Sequence, residues 1–96
     1  ITIDPATNAL VEGAIEAQTE RVLDNLAAVL EAAGSSLDRV LRATIYVTDL
    51  SLFSRVNTVY GRYCGGANPP ARATVEVRAL PLGAQIEIDA IAFTDA

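Results

Sequence analysis

Apolar positions repeat with a helical period early in this chain and a strand period later, and the changes of period mark the elements. Over residues 14–33 they fall at Ile15, Val22, Leu23, Leu26, Val29, Leu30 and Ala33, with gaps of three, four and seven. That spacing predicts an amphipathic helix. Glu16, Glu20, Asp24 and Glu31 line its wet side, and the first two suit the positive end of the helix dipole. Gly34 stands where a left-handed residue ends a helix. Over residues 40–48 the period falls to two. Leu41, Ala43, Ile45 and Val47 alternate with Arg42, Thr44, Tyr46 and Thr48, which predicts a central strand rich in β-branched residues. Asp49 or Ser51 then caps a second helix, whose buried stripe is Leu52, Phe53, Val56, Val59, Tyr60 and Tyr63. Gly65-Gly66 ends it.

Period two returns twice after Pro69-Pro70. Ala73, Val75, Val77 and Ala79 alternate with Arg72, Thr74, Glu76 and Arg78. After a turn at Leu80-Pro81-Leu82-Gly83, Ile86, Ile88, Ala90 and Ala92 alternate with Gln85, Glu87 and Asp89. Two half-buried strands are predicted, each burying its apolar row and presenting charge on the other face. Ahead of the first helix, Ile1-Thr2-Ile3 reads as the tail of a strand, Asp4-Pro5-Ala6-Thr7-Asn8 as turn chemistry, and residues 9–13 as a connector. The order is strand remnant, helix, strand, helix, strand, strand, with helices expected over the apolar row of each strand. The other face of every strand is mixed, which suits a subunit interface containing a polar pocket.

Composition narrows the functional classes. Ninety-six residues form one domain of modest stability on its own. Yet 51% of them are hydrophobic, and the mean hydropathy is +0.31. Part of that apolar surface is expected to be buried against another subunit. The net charge is −5, all seven basic residues are arginines, and no basic cluster exists. Nucleic acid is therefore not an expected partner, since phosphate binding needs a positive footprint. The absence of histidine removes a His-containing metal site and a Ser-His-Asp triad. No run of eighteen apolar residues predicts a membrane span, so no membrane partner is expected. The one cysteine, Cys64, has no internal disulfide partner, and a reducing cytoplasm is the expected compartment. The chain opens at Ile1, which suggests a processed or truncated form.

Few side chains are candidates for chemistry. Arg72 follows Pro69-Pro70 at the start of a strand, where the backbone is stiff, and its guanidinium offers a planar fork for a carboxylate. Patterning alone favours an ordinary solvated arginine, or an ion pair with Glu76 or Asp89. Glu87 lies between Ile86 and Ile88, where a carboxylate could hold or activate water. It could also be one polar position on a mixed face, and Asp89 on the same face is a rival. Thr74 shares a face with Arg72 and could offer a hydroxyl or backbone group to a ligand, or be a plain strand residue. Cys64 has no histidine to activate it and reads as structural. Tyr46, Tyr60 and Tyr63 read as core or interface aromatics.

Taken in order, these residues resemble the Rid (YjgF/YER057c/UK114) family of reactive-intermediate deaminases. The matching segments are Asp4-Pro5-Ala6-Thr7, Gln18-Thr19, Asn25-Leu26, Leu30-Glu31-Ala32-Ala33-Gly34, Val47-Thr48-Asp49-Leu50, Val56-Asn57-Thr58-Val59-Tyr60, Pro70-Ala71-Arg72, Leu80-Pro81 and the run from Ile86 to Ala92. They span the chain as a single Rid-type domain over residues 1–96. The resemblance implies a chorismate-mutase-like α+β fold, a mixed sheet with two helices on one face. It also implies a homotrimer with sites at its subunit interfaces. The last strand is expected to cross to the far side of the 40–48 strand and run antiparallel to it, which separates Arg72 from Glu87. The implied reaction is hydrolysis of 2-imino or enamino acids, such as 2-aminoacrylate, to 2-keto acids and ammonia, without a cofactor or metal. Arg72 matches the arginine that grips the substrate carboxylate, Glu87 the glutamate that positions water, and Thr74 a site position that is cysteine in some members. A non-catalytic carboxylate-binding or chaperone-like trimer is the alternative, and ribonuclease activity a third reading that the acidic balance opposes. The departure from the family pattern is at the start. Members carry a further N-terminal strand region that contributes to the site and sheet, and this chain has only Ile1-Thr2-Ile3 in that place.

Overall fold

The computed structural model describes residues 3–4, 9–10 and 13–95, the first four as backbone only. Helix α1 runs over Ile15–Ala32, helix α2 over Phe53–Cys64, and strands β3, β4 and β5 over Val40–Val47, Ala71–Glu76 and Ile86–Ala92. A short pair, β1 (Ile3–Asp4) and β2 (Ala9–Leu10), runs antiparallel ahead of α1. Residues 9 and 10 are thus strand, not the connector predicted. Residues 1 and 2 of the expected strand tail, and residues 5–8 of the expected turn, lie outside the described residues.

Strands β3, β4 and β5 form a mixed sheet in the order β4-β3-β5. Strand β4 is parallel to β3, as a strand–helix–strand crossover through α2 requires. Strand β5 is antiparallel to β3 on its other side, so the short connection after β4 crosses β3 instead of closing a hairpin. Both helices cover one face. Leu23, Ile45, Val47, Val56, Val59 and Ile86 are fully or almost fully buried between them, and each large apolar side chain so buried contributes about 1.5–3 kcal/mol. This is the α+β, chorismate-mutase-like arrangement of two helices on a mixed sheet. Among the described residues no helix is long and apolar enough to cross a membrane.

Helix α1 buries two polar residues the apolar pattern passed over. Thr19 returns its hydroxyl to the Ile15 carbonyl at 2.7 Å, and Gln18 donates Nε2 to the Gly13 carbonyl at 2.9 Å and to Gln85 Oε1 at 2.8 Å. Local hydrogen bonds make their burial tolerable. Val29, assigned to the buried stripe, is instead 65% exposed. The helix ends as predicted: Gly34 takes φ 82°, while the amides of Gly34 and Ser35 donate to the carbonyls of Glu31 and Leu30. Three polar contacts tie α1 to α2: Arg55 to Glu16, Arg62 to Glu20, and Tyr63 to Asp24. The numbers rise together on both helices, so the two lie side by side in the same direction.

Two strand faces differ from expectation. In β3, Leu41 is 57% exposed while Val40 is buried. A bulge explains it: Val40 pairs with Ala92 and Arg42 with Ile91, leaving one extra residue on β3. In β4 the assignment of faces is inverted. Arg72 is opposite Ala43, Thr74 opposite Ile45, and Glu76 opposite Val47. Those partners are buried, so the polar row of β4 is on the helix-bearing side of the sheet, where Arg72 and Glu76 remain exposed at its edge. The apolar row, Ala73 and Val75, shares the open face with Thr44 and Tyr46.

Candidate functional site

The inversion of β4 decides what surrounds Arg72. Pro69-Pro70 delivers the chain to the strand edge, and pairing with β3 turns the Arg72 side chain toward α2. There Nη1 donates to Asn57 Oδ1 at 2.8 Å. The guanidinium carbon, Cζ, lies 5.0 Å from the centre of the Tyr60 ring and 5.4 Å from that of Phe53. Both distances are within cation–π reach. Neither ion pair considered from the sequence forms. Glu76 accepts the Leu50 amide at 2.8 Å, and Asp89 accepts the Tyr46 hydroxyl at 2.9 Å. Among the described residues Arg72 has no carboxylate partner. Its fork keeps donors for an outside anion.

Thr74 follows on the same face, and its hydroxyl is buried without a hydrogen-bond partner among the described residues. The Tyr60 hydroxyl is also buried without a full hydrogen-bond partner among the described residues, with the Cys64 thiol beside it. Burial pushes Tyr60 up to about 12. Burial also raises the Cys64 thiol, which fits a packing role and not a nucleophile.

Glu87 belongs to another part of the sheet. It pairs with Tyr46 on the open face. Asp89, its rival, is engaged by the Tyr46 hydroxyl, and that bond raises the Tyr46 phenol. Among the described residues nothing hydrogen-bonds the Glu87 carboxylate. The row of Arg72 continues through Ala43 to Ala90, three residues from Glu87 along β5. Two strand spacings and three residue rises place their Cα atoms about 14 Å apart, with side chains on opposite faces. As the resemblance implied, β3 separates them, and one chain does not bring them to one ligand.

Two surface cavities stand out among the described residues. One, of about 230 Å³, lies at the end of α2 between Asp38, Tyr63, Cys64, Asn68 and Pro70. The other, of about 390 Å³, lies on the open sheet face between Arg42, Thr44, Asp89, Ala90 and Ile91. Neither is lined by Arg72, Thr74 or Glu87. No cluster of metal-ligating side chains occurs among the described residues.

Phe53, Asn57 and Tyr60 are the neighbours that sequence reasoning missed. They stand at i, i+4 and i+7 of α2, one face of a helix. The spacing was visible; that this face meets Arg72 follows only from the register of β4.

A family model described as Endoribonuclease L-PSP matches residues 1–94. The protein DfrA of Myxococcus xanthus is 60% identical over 92 residues, which is 96% of this chain and 70% of that protein. Reactive Intermediate Deaminase A, chloroplastic, of Arabidopsis thaliana is 44% identical over 88 residues, 92% of this chain and 46% of that protein. A crystal structure of a Yersinia pestis protein of the conserved Rid family superposes with TM-score 0.91 at 48% identity, covering 95% of this chain and 72% of that one.

Proposed function

The chain belongs to the family described as Endoribonuclease L-PSP, the YjgF/RutC/Rid family, and from that premise we propose that it hydrolyses reactive 2-imino and enamino acids to 2-keto acids and ammonia. The observation that carries the reading is Arg72: a fixed guanidinium with no carboxylate partner among the described residues. Such a group binds a small carboxylate bidentately. The name of the Arabidopsis relative supports the reaction class.

In this reading an enamine first takes a proton at its terminal carbon and becomes the imine. Arg72 holds the carboxylate and sets the imine carbon in place. Glu87 orients a water, whose oxygen bonds to that carbon while a proton passes to nitrogen. The carbinolamine hydroxyl then passes its proton to the nitrogen, the C–N bond breaks, ammonia leaves, and the carbonyl forms. No electrons are transferred, so the balance needs only water. Imines hydrolyse readily, and holding both reactants in register is most of the task. Because Arg72 and Glu87 face opposite sides of one sheet, the site needs two protomers, with β4 of one meeting β5 of another. A homotrimer in a reducing cytoplasm is the assembly and compartment we propose.

The test is release of keto acid and ammonia from 2-aminoacrylate generated in situ. Arg72→Ala is expected to lower kcat/KM by about 100-fold or more, and Glu87→Gln to lower kcat by about 100-fold. Turnover by Arg72→Ala at the parent rate would sink the assignment. The separation of Arg72 from Glu87 also favours a second reading, a small-carboxylate binder that lacks turnover. Calorimetry with 2-ketobutyrate beside the activity assay separates the two, since binding without ammonia release supports the binder. Ribonuclease activity is disfavoured by the net charge of −5 and the absence of histidine.

A further inference from the structure

Arg72 and Arg39 both lie over aromatic rings, and the difference between them is informative. Arg39 sits 5.4 Å from the Phe93 ring centre and is also ion-paired with Asp95 at 3.1 Å. Its charge is met by an anion within the chain. Arg72 has two rings, Phe53 and Tyr60, at 5.4 and 5.0 Å, and no carboxylate among the described residues. Among the described residues its hydrogen bond is to Asn57, and that bond engages Nη1 alone.

An anion and an aromatic face steady a guanidinium in different ways. A carboxylate occupies the N–H donors, so a substrate carboxylate would have to displace it. A ring attracts the cation through its face and leaves the in-plane N–H groups open. From Phe53, Asn57 and Tyr60, at one-face spacing on α2, we infer an aromatic cradle that orients the Arg72 plane and keeps its fork vacant for a small monocarboxylate. Phe53 and Tyr60 are thus positioning residues that act through Arg72. The inference rests on Arg72 being the carboxylate anchor. It adds that α2, and not the strand carrying the arginine, sets carboxylate affinity.

Phe53 is the better probe, because its ring is partly exposed while Tyr60 is in the core. Phe53→Leu keeps apolar bulk and removes the π face. It is expected to weaken 2-ketobutyrate binding and raise KM by about three- to fivefold, with a smaller change in kcat. Phe53→Tyr is expected to recover most of the lost affinity, which a change of bulk alone would not explain. In the parent protein the Arg72 Nε–H resonance, assigned by its loss in Arg72→Ala, is expected to be shifted upfield by the rings, and to move back in Phe53→Leu. Parent-like affinity in Phe53→Leu, or an Arg72 signal at an ordinary arginine position in the parent, overturns the cradle. Those results leave the deaminase reading standing if Arg72→Ala is still inactive. Parent-like binding and turnover in Arg72→Ala overturns both.

Discussion

Thr74 keeps its hydroxyl buried and, among the described residues, unpartnered, on the face of β4 that carries Arg72. A buried hydroxyl without a partner costs about 1–3 kcal/mol, and valine has the same shape without it. Thr74→Val is therefore expected to raise the folding stability of the free protein by about 1 kcal/mol, read from the urea midpoint. If the hydroxyl meets a bound carboxylate, the same variant weakens 2-ketobutyrate binding. A gain in stability paired with a loss of affinity marks a group kept for a ligand, whereas a gain with unchanged affinity assigns Thr74 to the fold alone. The sequence placed Thr74 and Arg72 on one face correctly. It put that face on the side away from the helices, because alternation reports that two rows differ and hydropathy then assigns the polar row outward.

Among the elements, α1, α2 and β5 were legible from period alone, since each has a single buried stripe and a contrasting wet side. Strand β4 was not. It is an edge strand whose apolar row is made of small residues, and its facing is set by pairing with β3 and by the aromatic side of α2. No local pattern encodes either. The crossing of β5 was read from the family resemblance, since a short connection between two strands is ordinarily the mark of a hairpin. The helix pair offers a prediction that depends on pH. Hydrogen bonding from Arg55 lowers Glu16 from its ordinary 4.5 to about 2. The stability this pairing adds is present above pH 4.5 and lost as pH falls toward 2. Thermal melts of Glu16→Gln should fall less steeply than those of the parent across that window, and the two curves should converge at its acid end. Parallel curves would mean that the exposed pair adds nothing measurable.

At the scale of the molecule, the open sheet face is the unfinished part. Val75 is 41% and Ile91 64% exposed there, beside Arg42, Glu87 and Asp89. A sheet with helices on one side only leaves its second face to water or to a partner. Under the proposed trimer, the parent should sediment at about three times the 10.1 kDa chain mass. Ile91→Asp should dissociate it, and turnover should vanish with Arg72 and Glu87 both in place. A variant that is monomeric yet active would show that one chain carries a complete site.

The bulge in β3 has a consequence for the length of the chain itself. Losing one residue from a strand ordinarily turns every following side chain to the wrong side. Leu41 is the surplus residue between Val40 and Arg42, opposite the adjacent pair Ala92 and Ile91. Deleting it joins Val40 to Arg42 in even alternation, with Val40, Ala43, Ile45 and Val47 still inward. The deletion variant is expected to fold with the same core and a melting temperature near that of the parent, whereas deleting Thr44 should abolish folding. At this point the gene could lose a codon without disturbing the core on either side of it.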